Sequence, residues 1–362
     1  MRTCTRCIMN DSADPTITFD ENGYCNYCTD ALAKINTTAY FPNEEGEKRL
    51  HALLEQVKKS GEGKPYDCIM GISGGLDSAY LAYLGYTWGL RILAVHVDDG
   101  YDTDVSRENV RKLVEKTGIK MITVTPDAEQ YNALLLAYMR AGVPNLAVPQ
   151  DNILLKCLFD AVKEYKIPYF LSGDNFALEC VLQRGNTYQS MDVVNIRDIH
   201  KRFGTQPINK LKFISAYEKY YSTRVAGMHL EKPLNYIDYN RERAFRELKE
   251  FCGFEYYGRK HLENKFTAFL QLRWLPEKFG VDKRLSHLSS MIVSGQMTRE
   301  DALAEAARPI CEGVPMDEYV AEIKANMHLS DAEFEEIMRA PTHQHTEYKT
   351  DRLDAALRSV LH

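Results

Sequence analysis

The chain has 362 residues, a formal net charge of −6, and 44% hydrophobic and 27% charged residues, enough for one large core or a catalytic domain with smaller attachments. Its acidic balance argues against broad, unspecific nucleic-acid binding, and no apolar run approaches the ~18 residues that span a bilayer. Met1-Arg2-Thr3-Cys4 opens on polar, cysteine-bearing sequence without a secretory pattern, so a cytoplasmic protein is expected.

The first element, over 1–36, is a cysteine module. Cys4-x-x-Cys7, then 17 residues, then Cys25-x-x-Cys28 matches the paired-cysteine spacing of zinc sites. Four thiolates close a tetrahedral site and leave no open position, so a structural Zn2+ on Cys4, Cys7, Cys25 and Cys28 is expected. Two disulfides are disfavoured by a reducing compartment; an iron–sulfur cluster is also permitted by four cysteines. Asp11, Pro15, Asn22 and Gly23 supply turns, and Phe19, Tyr24 and Tyr27 supply cover for the metal. Cys68, Cys157, Cys180, Cys252 and Cys311 stand singly in apolar or mixed sequence and read as buried thiols. Residues 36–38 and 42–46 read as a linker.

A helix is predicted over 47–59, with Leu50, Leu53, Leu54 and Val57 on one face. Strands are then predicted over 67–71, 91–97, 120–124 and 169–172, and helices between them over 78–85, 105–117 and 152–165. Strands alternating with helices imply an α/β domain over 47–234 built on a doubly wound, mostly parallel sheet. Residues 183–223 are polar, weakly periodic and carry no prediction. A third region, 235–362, lacks strand patterns and is expected to be helical, with helices over 239–251, 266–272, 284–294, 299–307, 316–327 and 331–338. Thr298 has cap character before the fourth of these.

Between the first predicted strand and its helix lies Ser73-Gly74-Gly75-Leu76-Asp77-Ser78. Adjacent glycines let consecutive N–H groups face one point, the helix N-terminus favours an anion, and the flanking serines add hydroxyl donors. Asp77 is out of place in a phosphate cradle unless a magnesium ion or a nearby base neutralises it. No lysine follows the glycines, which excludes a Walker A loop. The run resembles the S-G-G-x-D-S loop of PP-loop enzymes, and that resemblance implies a HUP-like fold, ATP and Mg2+, and cleavage between the α- and β-phosphates. Ser73, Gly74, Gly75, Asp77 and Ser78 are then the pyrophosphate-binding candidates, with Asp77 also catalytic. The ends of the next strands add His96 and Asp98, and Gly173 and Asp174, as nucleotide-binding candidates, because such sheets bind ligands at their carboxyl ends.

Further on, Lys260-His261-Leu262-Glu263-Asn264-Lys265-Phe266-Thr267 is followed by Leu275-Pro276-Glu277-Lys278-Phe279-Gly280, Asp282-Lys283-Arg284 and His287-Leu288-Ser289-Ser290. Any single charge here reads best as a solvated helix face; the density of His, Glu and basic groups beside aromatics reads as a cleft. With the cysteine module and the loop, in that order, the run resembles the N-acetyl sugar amidotransferases of the WbpG/PseA type. The resemblance implies adenylation of the amide oxygen of an acetamido sugar, nucleotide-linked or free, and its displacement by ammonia to give an amidine, in bacterial surface-polysaccharide or nonulosonic-acid synthesis. It makes His261 and Glu263 proton-transfer candidates, and Lys260, Lys283 and Arg284 binders of a substrate carboxylate or diphosphate. Arg2 stands where an N-terminal glutaminase needs cysteine, so ammonia is expected from a separate glutaminase working with a cyclase-like subunit. The alternatives are a PP-loop tRNA-modifying enzyme of thiolation or lysidine type, which needs a basic surface, and a zinc-containing nucleotide-sensing protein without turnover.

Overall fold

In the computed structural model of the chain, residues 1–12, 14 and 16–351 are described; Pro15 and the last eleven residues of the 235–362 region lie outside them. The cysteine module ends in helix α1 (Asn26–Leu32). Helix α2 (Glu44–Ser60) starts earlier than the pattern predicts, because the Asn43 side chain accepts hydrogen bonds from Glu45 N and Gly46 N and caps it. The tail of the expected linker is therefore helix. Beside it, Tyr40 and Phe41 are buried rather than trailing in solvent.

Five parallel strands follow: β1 (Cys68–Gly71), β2 (Ile92–Val97), β3 (Lys120–Val124), β4 (Tyr169–Leu171) and β5 (His229–Glu231). Their order in the sheet is β3-β2-β1-β4-β5. Helices α3 (Leu76–Thr87), α4 (Asp104–Thr117), α5 (Ala128–Ala141) and α6 (Val148–Tyr165) connect the first four. Each central strand is buried on both faces and alternates between two cores. Cys68, Met70, Ile92 and Ala94 face the core with α3, while Ile69, Leu93, Val95 and Phe170 face Leu158, Phe159 and Val162 of α6. Sequential strands run outward from β1 on one side and from β4 on the other. The sheet reverses its order between those two strands, which opens a crevice at their carboxyl ends.

Three helices fall in the stretch without a sequence prediction or just beside it: α7 (Phe176–Glu179), α8 (Val193–Phe203) and α9 (Ala216–Arg224). After β5 come α10 (Arg241–Cys252), α11 (Lys265–Phe269), α12 (Leu275–Phe279), α13 (Arg284–Val293), α14 (Arg299–Ala307), α15 (Met316–Asn326) and α16 (Asp331–Arg339). The Thr298 side chain accepts from Asp301 N, as its cap character predicts. Helices α5, α8, α11, α12, α15 and α16 enclose a separate helical core around Trp274, whose indole N–H donates to Val143 O at 3.0 Å. Between α11 and α12 the chain widens into a π-helical stretch, Leu270–Trp274. The cause is Pro276, which has no N–H to donate and crowds the carbonyl four residues back. That carbonyl, on Leu272, instead accepts from the Cys311 thiol at 3.5 Å. No described helix is long and apolar enough to cross a membrane.

Candidate active site at the sheet crevice

Strand β1 delivers the glycine loop to the crevice. Gly74 has φ +79°, and a Cβ there would lie 2.5 Å from the Ser106 carbonyl oxygen, so both conformation and space demand glycine. Ser73 and Ser78 pair through their hydroxyls at 3.2 Å, and Ser73 Oγ also accepts from Gly75 N at 3.2 Å. No side chain caps α3; instead Leu76 N donates to the Tyr257 hydroxyl at 2.8 Å. On the other side, a Cβ on Gly173 would stand 3.0 Å from Ser78 N, so the turn after β4 lies directly against the first turn of α3. The loop opens into a cavity of about 1140 Å3.

Asp77, the carboxylate that needed an explanation, is neutralised by a base. Lys260 Nζ and the Tyr239 hydroxyl both donate to it, and Lys260 Nζ also lies 3.0 Å from Glu179 Oε1. Burial alone would raise the Asp77 carboxyl; the Lys260 cation outweighs it and holds the group below its usual range. The lysine is held protonated in turn: burial opposes its charge, but two carboxylates raise it above its ordinary value. Glu179, less directly paired, is pushed up by burial.

Around this triad stand the other groups of the 257–287 stretch. His261 adopts a left-handed φ of +64°, which turns its ring toward Glu179, Nε2 to Oε1 3.9 Å. Burial, with Lys260 and Lys283 adding repulsion, pushes its pKa down to about 3, so the ring is neutral. Its neighbour His287, ring centroids 5.4 Å apart, is lowered by the same burial and cations. Glu263 is the reverse case: burial raises it to about 7. Its Oε2 is buried without a hydrogen-bond partner among the described residues, and a Cβ on Gly75 would come within 2.6 Å of Oε1. A buried carboxyl that titrates near neutrality beside the glycine loop is equipped to exchange a proton. Lys283 also lines the cavity, and burial lowers it to about 8.

The sequence-predicted residues divide. Ser73, Gly75, Asp77, Ser78, Gly173, Asp174, Lys260, His261, Glu263 and Lys283 all line the one cavity. Gly74, which packs against Ser106, and His96, Asp98 and Arg284 do not line it. The His96 ring lies behind the loop, Nδ1 2.8 Å from Ile72 O and Nε2 3.1 Å from Asp102 Oδ2, where it braces the strand end. Asp98 accepts from Gly100 N in a turn. The Arg284 guanidinium pairs with Asp282 at 2.7 Å and donates to the carbonyls of Glu305, Ala306 and Arg308, closing the end of α14. Residues the sequence reading missed include Asp99, which accepts from Tyr101 N, Tyr131, Gln150 and Asn264. It missed Tyr239 and Glu179 as well, because partners far apart in sequence leave no local signal.

The four cysteines of the module are buried, with their sulfurs within 4.8 Å of one another. Cys4 and Cys28 sulfurs are 3.7 Å apart and those of Cys7 and Cys25 3.5 Å. Four sulfurs at ~2.3 Å from one tetrahedral ion sit about 3.8 Å apart, so the set fits a single thiolate-bound ion. Backbone N–H groups of Arg6, Cys7 and Cys25 point at Cys4 Sγ, at 3.4, 3.4 and 3.2 Å, which suits a thiolate. Beyond the knuckles, Arg6 stacks on Tyr24 and Arg299 donates to the Cys4 and Cys7 carbonyls. Ile8 N donates to Ser289 Oγ on α13, the helix that carries His287.

Residues 263–360 match the family described as LPS biosynthesis protein WbpG-like, C-terminal domain, in agreement with the resemblance read from the sequence. No match is found among curated proteins. Solved structures similar to this chain include NMN synthetase from Francisella tularensis, at 13% identity and TM-score 0.37, covering 79% of this chain and 97% of that one. NAD+ synthetase from Burkholderia pseudomallei is similar at 15% identity and TM-score 0.32, covering 89% and 94%. The U34-tRNA thiolase NcsA from Methanococcus maripaludis is similar at 15% identity and TM-score 0.34, covering 87% and 92%.

Proposed function

We propose that this chain is an ATP-dependent amidotransferase that forms AMP and pyrophosphate and converts an acetamido group of a sugar to an acetamidino group. One observation carries the reading: groups within or just before the WbpG-like region, Glu263, Lys283, His287 and Lys260, line the same cavity as the phosphate loop. An amide carbon resists ammonia because its oxygen leaves poorly. The amide oxygen attacks the α-phosphorus of ATP as the bond to pyrophosphate breaks; ammonia then adds to the imidate carbon, AMP leaves with the oxygen, and one proton is lost. Ser73 N, Gly75 N and Leu76 N are bonded inside the protein. The Ser73 and Ser78 hydroxyls and the Asp77 and Ser78 N–H groups of the first turn of α3 are therefore the donors that stabilise charge on the departing pyrophosphate. Lys260, drawn between Asp77 and Glu179, places a cation beside that charge. Glu263 is the acceptor for the ammonia proton, since its carboxyl titrates near neutrality and Oε2 is otherwise unpaired.

A magnesium ion would supply electrostatic stabilisation of the phosphate charge. Asp174 on the cavity lining fits it, because this ion takes one or two carboxylates together with substrate phosphates, whereas both Asp77 oxygens are taken by Tyr239 and Lys260. The cysteine set would hold a structural Zn2+. Ammonia is assigned to a separate glutaminase with a cyclase-like subunit, and the cytoplasm is the expected compartment.

A thiolating tRNA enzyme needs a reactive thiol near the nucleotide. Cys180 lines the cavity, but burial pushes its thiol up to about 12. Cys157 is raised to about 11 by burial and lies off the cavity lining. Neither thiol is ionised at neutral pH. Pyrophosphate release tests the proposal: it should require ATP and an acetamido sugar together. Release that tRNA stimulates and acetamido sugars do not would refute it.

A further inference from the structure

We infer that Gln271 is the residue that selects the amide group of the substrate. This rests on the amidotransferase reading and names the part of the cavity that recognises the reacting group. Gln271 is 9% exposed, lines the cavity and makes no hydrogen bond to any described residue. With neither donor nor acceptor used inside the protein, this carboxamide presents its hydrogen-bonding capacity to the cavity, where a ligand can take it up. Its position is built, not incidental. Asn264, Thr267, Leu270, Gln271 and Leu275 all line the cavity, which is one face of the run through α11 and α12. Leu270 and Gln271 stand three and four positions after Thr267, the spacing that puts both on its helix face.

The rest of that face is committed. Asn264 donates to Asp99 and its side-chain oxygen caps α11 at Thr267 N; the Thr267 hydroxyl faces Gln150 Oε1 at 3.3 Å. Gln271 alone among these polar side chains is left open. Its oxygen accepts and its NH2 donates, the complement of a secondary amide, which offers one N–H and one carbonyl oxygen. Leu270 and Leu275 beside it supply apolar contact for a methyl group. The acidic Asp99 that Asn264 holds also lines the cavity on this side, unlike the cationic Lys260–Lys283 side, and this suits a neutral acetamido group and not a carboxylate or a diphosphate. Asn264 adjoins Glu263 in the chain, so a group held by Gln271 lies on the helix run that begins at the proton acceptor.

The test compares wild type with Gln271→Met, which keeps volume and removes both polar atoms, and Gln271→Glu, which keeps shape and loses the donor. The probe is whichever of a panel of UDP-linked acetamido and diacetamido hexoses gives the highest sugar-dependent pyrophosphate release with wild type. Thermal melting first establishes that each variant folds. The expected result is a KM for the sugar raised about tenfold or more in both variants, with the KM for ATP within about twofold of wild type. Preference for the acetamido sugar over its hydroxyl analogue should shrink by a similar factor. An unchanged sugar KM in folded Gln271→Met, with wild type active, overturns the assignment of Gln271 alone. Absence of sugar-dependent release by wild type overturns the amidotransferase reading, and this inference with it.

Discussion

The cysteine module and the Asp77 cluster are both small sets of buried ionisable groups, and they are finished in opposite ways. In the module, four sulfurs face one another, backbone N–H groups and the Arg299 guanidinium wrap the outside, and no position is left open. In the cluster, Asp77, Lys260 and Glu179 satisfy one another on one side only and face a cavity of about 1140 Å3 on the other. A closed set stores stability; an open one holds charge where a ligand can reach it. The two sets meet through α13, which the module grips at Ser289 and which bears His287 into the cavity.

Breaking the open set should abolish chemistry and spare the fold. Asp77→Ala is expected to lower sugar-dependent pyrophosphate release by about a hundredfold or more, with the far-ultraviolet circular dichroism unchanged, because Lys260 retains Glu179 as a partner. Unaltered release by a folded variant would sink the role of Asp77. Breaking the closed set should do the converse. Cys4→Ser is expected to lose one zinc per chain by elemental analysis and to lower Tm by several degrees or more, since metal binding and local folding are coupled. Residual activity should fall only in proportion to the unfolded fraction. Iron with visible absorbance in the wild type would refute zinc.

Glu263 sharpens the contrast through pH. Its folded pKa is raised, to about 7, so the folded state holds the proton more tightly than the unfolded one. It therefore stabilises at low pH, and that stability is lost as pH rises from the ordinary carboxyl range through 7. Glu263→Gln should melt like wild type near pH 4 and several degrees higher above pH 7, while its activity falls about tenfold or more and no longer rises with an apparent pKa near 7. Equal melting at both pH values would mean the carboxyl is solvated. Arg299→Ala should show the smallest effect: a loss of about 1 kcal/mol in urea unfolding, from two hydrogen bonds to the Cys4 and Cys7 carbonyls, with kcat within about twofold. A kcat collapse there would show that the module does more than support.

The sheet was legible because parallel strands buried on both faces read as apolar runs with glycine or polar stops, as at Ile92–Val97 and Cys68–Gly71. Helix α5 was not, since residues on all its sides are buried, from Tyr131 to Met139, and a helix without a wet face has no period. Strand β5 is three residues long and leaves no pattern at all. In the site, the glycine loop is local chemistry and could be read; the Asp77–Lys260–Tyr239 contacts join residues more than 160 positions apart and could not. Arg284 and His96 mislead for one reason. The residue types that bind substrates also satisfy carbonyls and carboxylates inside the protein, and only the fold decides between the two uses.

On the proposed reading the open cluster joins an acetamido sugar to ATP and then to ammonia. Mass spectrometry of candidate acetamido nucleotide sugars, after incubation with the full chain, ATP, Mg2+ and ammonium, tests it most directly. The expected product is about one mass unit lighter than its substrate, an NH in place of an O, formed in step with AMP and pyrophosphate and needing no glutamine. ATP cleavage that leaves every sugar at its starting mass, or product formed by the isolated chain from glutamine in place of ammonium, would contradict it.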